Sequence, residues 1–164
     1  MSLERMWAGW RMAYVSQTDL PKDSCVMCEL AKGSLDEALI LERNELCFAV
    51  MNAYPYTSGH LMVVPVRHEA ELTGLSAAEA HAVMDMVQRA CEALKVAFSP
   101  SGINVGINIG RESGAGVPGH VHVHAVPRWG GDTNFMTSVA EARILPEALS
   151  ASWERLRAAW PTAI

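Results

Sequence analysis

Three histidines fall at alternate positions in Pro118-Gly119-His120-Val121-His122-Val123-His124-Ala125-Val126-Pro127-Arg128. In a strand, alternate side chains share a face and stand about 6.6–6.8 Å apart. His120, His122 and His124 would then line one face, with Val121, Val123 and Ala125 packed on the other. Three imidazoles suit a core face poorly, because buried ring N–H groups need partners and charging neighbouring rings costs Coulomb energy. Two chemistries would justify the row. The histidines could bind a metal, as in catalytic zinc sites. Alternatively, one is a nucleophile that the others orient, since neutral imidazole attacks well near pH 7. A His-rich strand with no role is the plain alternative, but three of only six histidines share this spacing.

Directly upstream, Gly110-Arg111-Glu112-Ser113-Gly114-Ala115-Gly116 carries three glycines. Glycine lets backbone N–H groups approach an anion closely. Gly114, Ala115 and Gly116 are therefore candidate phosphate-binding residues beside the candidate nucleophile. Elsewhere, Cys25-Val26-Met27-Cys28 could supply two zinc thiolates, though a zinc site needs further ligands. The other reading of this pair is a reduced dithiol in a packed turn. Cys47 and Cys91 sit in apolar patterns and read as core, and His81 reads as a surface helix residue.

The elements that must position these residues are short. Leu39–Arg43 and Glu45–Met51 read as strands joined at Asn44. Leu61–Val64, Asn104–Ile109 and His120–Val126 read as three more, and the short gaps favour antiparallel neighbours. Ser76-Ala77-Ala78-Glu79 is a capping-box pattern. The helix it opens carries Val83, Met84, Val87, Ala90, Cys91, Leu94, Val96 and Ala97 as an apolar stripe, and Ser99–Gly102 stops it. A second helix is predicted from Pro146 to about Trp160, with Leu149, Trp153, Leu156 and Trp160 on one face. These elements make one α+β domain over residues 1–164, a meandering sheet of about five antiparallel strands with helices on one face.

Bulk properties bound the function. Half of the 164 residues are hydrophobic and 19% are charged, as in soluble globular proteins. The formal net charge of −5 and the absence of a basic cluster argue against binding a nucleic acid duplex. No apolar run reaches the roughly 20 residues that span a bilayer, and the N-terminus reads as neither signal peptide nor anchor. Four cysteines without a secretion pattern favour reduced thiols, so the cytoplasm is the expected compartment.

Taken with the His row, Gly59-His60-Leu61-Met62-Val63-Val64-Pro65 resembles the upstream motif of the histidine-triad (HIT) nucleotide hydrolases and transferases. The resemblance runs from about Cys25 to Arg128, leaving extensions 1–24 and 129–164. It implies a small α+β fold that dimerises, with the sheets joined across the interface. It implies that His122 is the nucleophile attacking the α-phosphorus, that His120 and His124 orient it and contact the phosphate, and that His60 hydrogen-bonds within the row. Asn52 matches a ribose-binding position and Asn108 a polar residue beside the phosphates; each could also be a turn or cap residue. Some members carry a structural zinc, for which the matching ligands here are Cys25, Cys28, His68 and His120. No cofactor is expected for catalysis itself.

Many members place Gly-Gln-Ser/Thr-Val just before the first histidine. The matching stretch here, Gly114-Ala115-Gly116-Val117-Pro118-Gly119, has no glutamine. Together with Trp7, Trp10-Arg11, Tyr54-Pro55-Tyr56 and Pro127-Arg128-Trp129-Gly130-Gly131-Asp132-Thr133-Asn134-Phe135-Met136, this resembles the bacterial diadenosine-tetraphosphate phosphorylase branch. There, phosphate rather than water removes the nucleotidyl group. Three alternatives stay open: a hydrolase acting on dinucleoside polyphosphates or nucleotide phosphoramidates with water as acceptor, a nucleotide-binding regulator without catalysis, and a metal-dependent enzyme.

Overall fold

The computed structural model describes residues 24–132 and 145–162. Trp7, Trp10, Arg11 and the stretch Thr133–Met136 lie outside the described residues. The elements in chain order are α1 (Val26–Lys32), β1 (Ile40–Arg43), β2 (Cys47–Met51), β3 (Leu61–Pro65), α2 (Ala77–Phe98), β4 (Gly102–Ile107), β5 (Val123–Arg128) and α3 (Leu149–Ala159). Short 3-10 turns occupy Leu72–Gly74 and Arg111–Ser113. The strands form one five-stranded sheet in the order β1-β2-β3-β5-β4, with every neighbouring pair antiparallel. The α+β class and the five-strand sheet agree with the sequence reading. The last two strands are exchanged in space, so that β5 lies inside the sheet and β4 at its edge.

The two faces of the sheet are covered differently. Cys47, Ala49, Met51, Leu61, Val63, Val123 and Ala125 point to one side, against Val83, Met86, Val87, Ala90, Ala93 and Leu94 of α2 and Trp153 and Leu156 of α3. Alanines on both partners let the long helix lie close to the sheet. On the other side Ile40, Phe48, Val50, Met62 and Val64 pack against Met27 of α1. Strands β2 and β3 are buried at every residue, which is why their sequences run apolar instead of alternating.

Helix α2 starts where the capping box predicts. Ser76 Oγ accepts from the Glu79 amide at 3.2 Å, and Glu79 Oε2 accepts from the Ser76 amide at 2.8 Å. Arg67 clamps the same carboxylate through Nε and a terminal nitrogen at 2.7 and 2.9 Å. These bonds hold the Glu79 carboxyl down at about 2. The apolar stripe differs from the prediction in its members. Met84 and Val96 are 50% and 73% exposed, and Met86 and Ala93 take the inward places that the 3.6-residue period assigns.

Several boundaries also differ. The first strand starts at Ile40, because Leu39 has a left-handed φ of 53°. Helix α3 starts at Leu149 behind Ala148, so Pro146 precedes the helix rather than opening it. Strand β5 starts at Val123, not His120. The residues before it are drawn away from the ladder: the His120 amide bonds Val117 O at 3.3 Å and the Val121 amide bonds Glu69 O at 2.7 Å. Finally, α1 was not foreseen, and it packs on the face opposite the other two helices.

Candidate active site

His124 lies on the sheet face away from α2. Its register partners are Met62 on β3 and Gly106 on β4. Beneath it, His60 is fully buried at the entry to β3. The Tyr56 amide donates to His60 Nδ1 at 3.0 Å, so that nitrogen must be an acceptor. The neutral ring then carries its proton on Nε2, which lies 3.0 Å from His124 Nδ1 and donates to it. His124 in turn must carry its own proton on Nε2. Burial, followed by the charge of His122, pushes the His124 pKa down to about 4. At neutral pH His124 is therefore an uncharged N–H donor.

His122 is set by a separate bond. Its Nδ1–H donates to the backbone carbonyl of His120 at 2.7 Å, which leaves the lone pair on Nε2. The rings of His122 and His124 meet edge to face with centroids 4.9 Å apart. A ring nitrogen with a free lone pair thus stands next to a neutral hydrogen-bond donor. That pairing suits attack on phosphorus with stabilisation of an equatorial oxygen.

A cleft of about 330 Å³ opens over His124. Its floor follows the alternate positions His124, Val126 and Arg128 of β5 and Asn104 and Gly106 of β4; Tyr56, Thr57, Val105, Asn108 and Asp132 complete the lining. A Cβ at Gly106 would meet nothing within 4 Å, so the missing side chain leaves open space facing His124. At the far end Arg128 makes a two-point bond to Asp132 at 2.6 and 2.8 Å and reaches Asn104 Oδ1 at 2.8 Å. Of these residues only His124 and Asn108 were singled out as site residues from sequence. Counting in twos from His124 would have found Val126 and Arg128.

The other expected residues are placed variously. Asn52 is buried, with Oδ1 accepting from the Tyr54 amide at 2.8 Å and its backbone amide donating to His60 O at 3.0 Å. It braces the His60 loop. Gly114 has φ of 89°, as a turn glycine should, and its amide donates to Arg111 O at 3.1 Å. Gly114, Ala115 and Gly116 are not among the residues lining the cleft. His81 is exposed, Cys47 is buried and Cys91 packs partly buried against the core.

His120 parts from the other two histidines. Its Nε2–H donates to Pro65 O at 2.9 Å, directing the Nδ1 lone pair towards the cysteines. Cys25 Sγ lies 3.4 Å and Cys28 Sγ 3.7 Å from that nitrogen, and His68 Nδ1 lies 3.3 Å from Cys28 Sγ. All four donor atoms fall within 4.8 Å of one another. Zinc bonds of about 2.3 Å to sulfur and 2.0–2.1 Å to nitrogen give a tetrahedron with edges of roughly 3.5 Å. The three spacings match that figure, so the residues fit a four-coordinate zinc. The carbonyl behind His120 is the usual support for such a ligand.

A family model for the HIT domain matches residues 33–131. The chain belongs to the HIT family. A HIT relative, the AP-4-A phosphorylase of Mycobacterium tuberculosis, is 37% identical across 96% of this chain and 85% of its own length. The adenosine 5'-monophosphoramidase of Schizosaccharomyces pombe is 27% identical across 81% of this chain and 96% of its own. Among solved HIT structures, a Zn-bound histidine triad family protein from Mycobacterium smegmatis superposes with a TM-score of 0.68 at 28% identity. That match covers 83% of this chain and 92% of the other.

Proposed function

We propose that the chain cleaves dinucleoside polyphosphates by transferring a nucleotidyl group to His122, with inorganic phosphate as the acceptor. The observation that carries this reading is the 2.7 Å approach of His122 Nδ1 to the His120 carbonyl: a proton held there leaves the lone pair on Nε2, in a ring packed edge to face against His124 with centroids 4.9 Å apart. Nε2 of His122 attacks the α-phosphorus, the P–O bond to the rest of the polyphosphate breaks, and His124 steadies the oxygens that gain charge. Phosphate then displaces the nucleotidyl group from nitrogen, giving a nucleoside diphosphate and restoring the imidazole. Asn108, which lines the cleft, would contact the phosphates. Asn52 acts chiefly by fixing His60, and Gly114, Ala115 and Gly116 shape the turn ahead of His120.

Phosphate is favoured as acceptor by two facts together. The stretch Gly114–Gly119 ahead of His120 has no glutamine, and a relative 37% identical across 96% of this chain is named a phosphorylase. Hydrolysis is the second reading, supported by the phosphoramidase relative. Cys25, Cys28, His68 and His120 would hold a zinc that does not touch substrate, because four protein ligands leave no open position. The chain is further proposed to be a homodimer paired along β4, since that edge strand is largely exposed and Val105 is 47% exposed on it.

Diadenosine tetraphosphate incubated with and without phosphate tests the reading. ADP plus ATP formed only with phosphate supports phosphorolysis, whereas AMP plus ATP without phosphate supports hydrolysis. His122→Ala should lose on the order of 10⁴-fold or more in kcat. Activity near that of the parent would remove His122 from the nucleophile role.

A further inference from the structure

His120 belongs to two structures at once. Its ring joins the Cys25, Cys28 and His68 donors, and its backbone carbonyl accepts the Nδ1–H of His122 at 2.7 Å. Few other bonds hold this stretch, which precedes the first ladder residue of β5, Val123. The His120 amide makes a long 3.3 Å turn bond and the Val121 amide bonds the Glu69 carbonyl. The ring, by contrast, is fully buried and held at both nitrogens, by Pro65 O at 2.9 Å and by the cysteine sulfurs at 3.4 and 3.7 Å.

We infer that the two-cysteine, two-histidine centre is a positioning device for the nucleophile: a metal ion bound there fixes the His120 carbonyl, and that carbonyl selects the His122 tautomer with its lone pair on Nε2. Cys25, Cys28 and His68 are distant in sequence from the reacting ring, yet through His120 the centre is one hydrogen bond from it. Cys25, Cys28, His68 and His120, holding a zinc ion together, would tie α1 and the segment after β3 to the backbone atom that decides which nitrogen attacks. A purely structural clip would stabilise the fold and leave His122 unaltered. The inference rests on His122 as the nucleophile only for its catalytic meaning, because the tautomer can be read without substrate.

The test uses the full-length protein with its histidines ¹⁵N-labelled. With zinc bound at one ion per chain, His122 should show a protonated Nδ1 whose N–H signal is protected from solvent. Chelating the zinc, or the change Cys28→Ser, should lose that protection and mix the two tautomers, while His81 on the outer face of α2 stays constant. In single-turnover experiments, nucleotidyl-adduct formation should slow by about 10–100-fold, with substrate affinity changed far less. If the metal-free protein unfolds, Cd²⁺ replaces Zn²⁺: its longer bonds should shift the His122 Nδ1–H signal and leave His81 unchanged. An unmoved His122 signal in the metal-free or Cd²⁺ protein overturns the inference, and so does a purified protein that takes up no zinc. If the signal moves while His122→Ala remains active, the coupling stands and the nucleophile assignment falls.

Discussion

His124 combines two properties that free imidazole does not join: it is placed to donate a hydrogen bond, and it resists protonation. Its pKa sits at about 4 against an ordinary 6.5, chiefly because charging it in its buried position sacrifices hydration. The same shift ties it to stability. Above pH 6.5 the residue is neutral in both folded and unfolded chains and has no effect. Between about 6.5 and 4 the unfolded chain binds a proton that the folded one does not, so stability falls as the pH drops through that window. Thermal melts should show a decline there that is shallower in His124→Gln. Equal slopes for the two proteins would place the titration elsewhere. The roles of the three histidines were only partly readable from their spacing. Alternation puts them on one face, an arrangement that β5 keeps only for His124. It could not show that bonds from Val121 to Glu69 and from His120 to Pro65 end the strand early and turn His120 to the cysteines.

Among the elements, α2 and β4 make opposite demands on their residues. The start of α2 is held by reciprocal bonds between Ser76 and Glu79. Replacing Ser76 with Ala should cost about 1 kcal/mol in urea unfolding, the usual loss for an N-cap. Nucleotide chemistry should be unaffected, and a loss of activity without a loss of stability would contradict this placement. On β4, Gly106 is needed for space and not for backbone conformation, because a Cβ there meets no neighbour within 4 Å. Gly106→Val should fold normally yet raise KM about tenfold by filling the cleft opposite His124, a loss of about 1.4 kcal/mol in binding. Unchanged KM would mean that substrate lies elsewhere. The capping box was legible because its residues are neighbours in sequence. Gly106 was not, since its importance comes from standing across from His124, a pairing that only the sheet register reveals. The short α1 was hidden for a related reason: its seven residues carry too little periodicity, and it is secured by packing Met27 against β1, β2 and β3.

At the scale of the whole molecule, the sheet ends on one side at β1, which α3 ties down through Trp153 Nε1 to Ile40 O at 3.2 Å. Its other end, β4, lies along the cleft. Sedimentation should find a dimer for the parent chain, and Val105→Asp should shift it to monomer if two β4 edges pair. A monomeric parent would refute that pairing. No helix among the described residues is long and apolar enough to cross a membrane. The five strands and the two longer helices followed from local patterns in the sequence. The exchange of β4 and β5 did not, because it depends on where a strand inserts after a long connection.

That insertion also constrains how the chain is made. β3 ends at Pro65 and its inner partner begins at Val123, with the long helix and the edge strand in between. During synthesis at about 5–20 residues per second, β3 waits roughly 3–12 s before its neighbour leaves the ribosome. Throughout that interval its backbone donors and acceptors are open along one side, beside the apolar side chains of Met62 and Val64. β4, made earlier, has only the wrong place to go: pairing directly with β3 would complete a plain meander and shut β5 out. The nascent chain must therefore either delay β4 or expel it, and His124 arrives on the strand that resolves the choice.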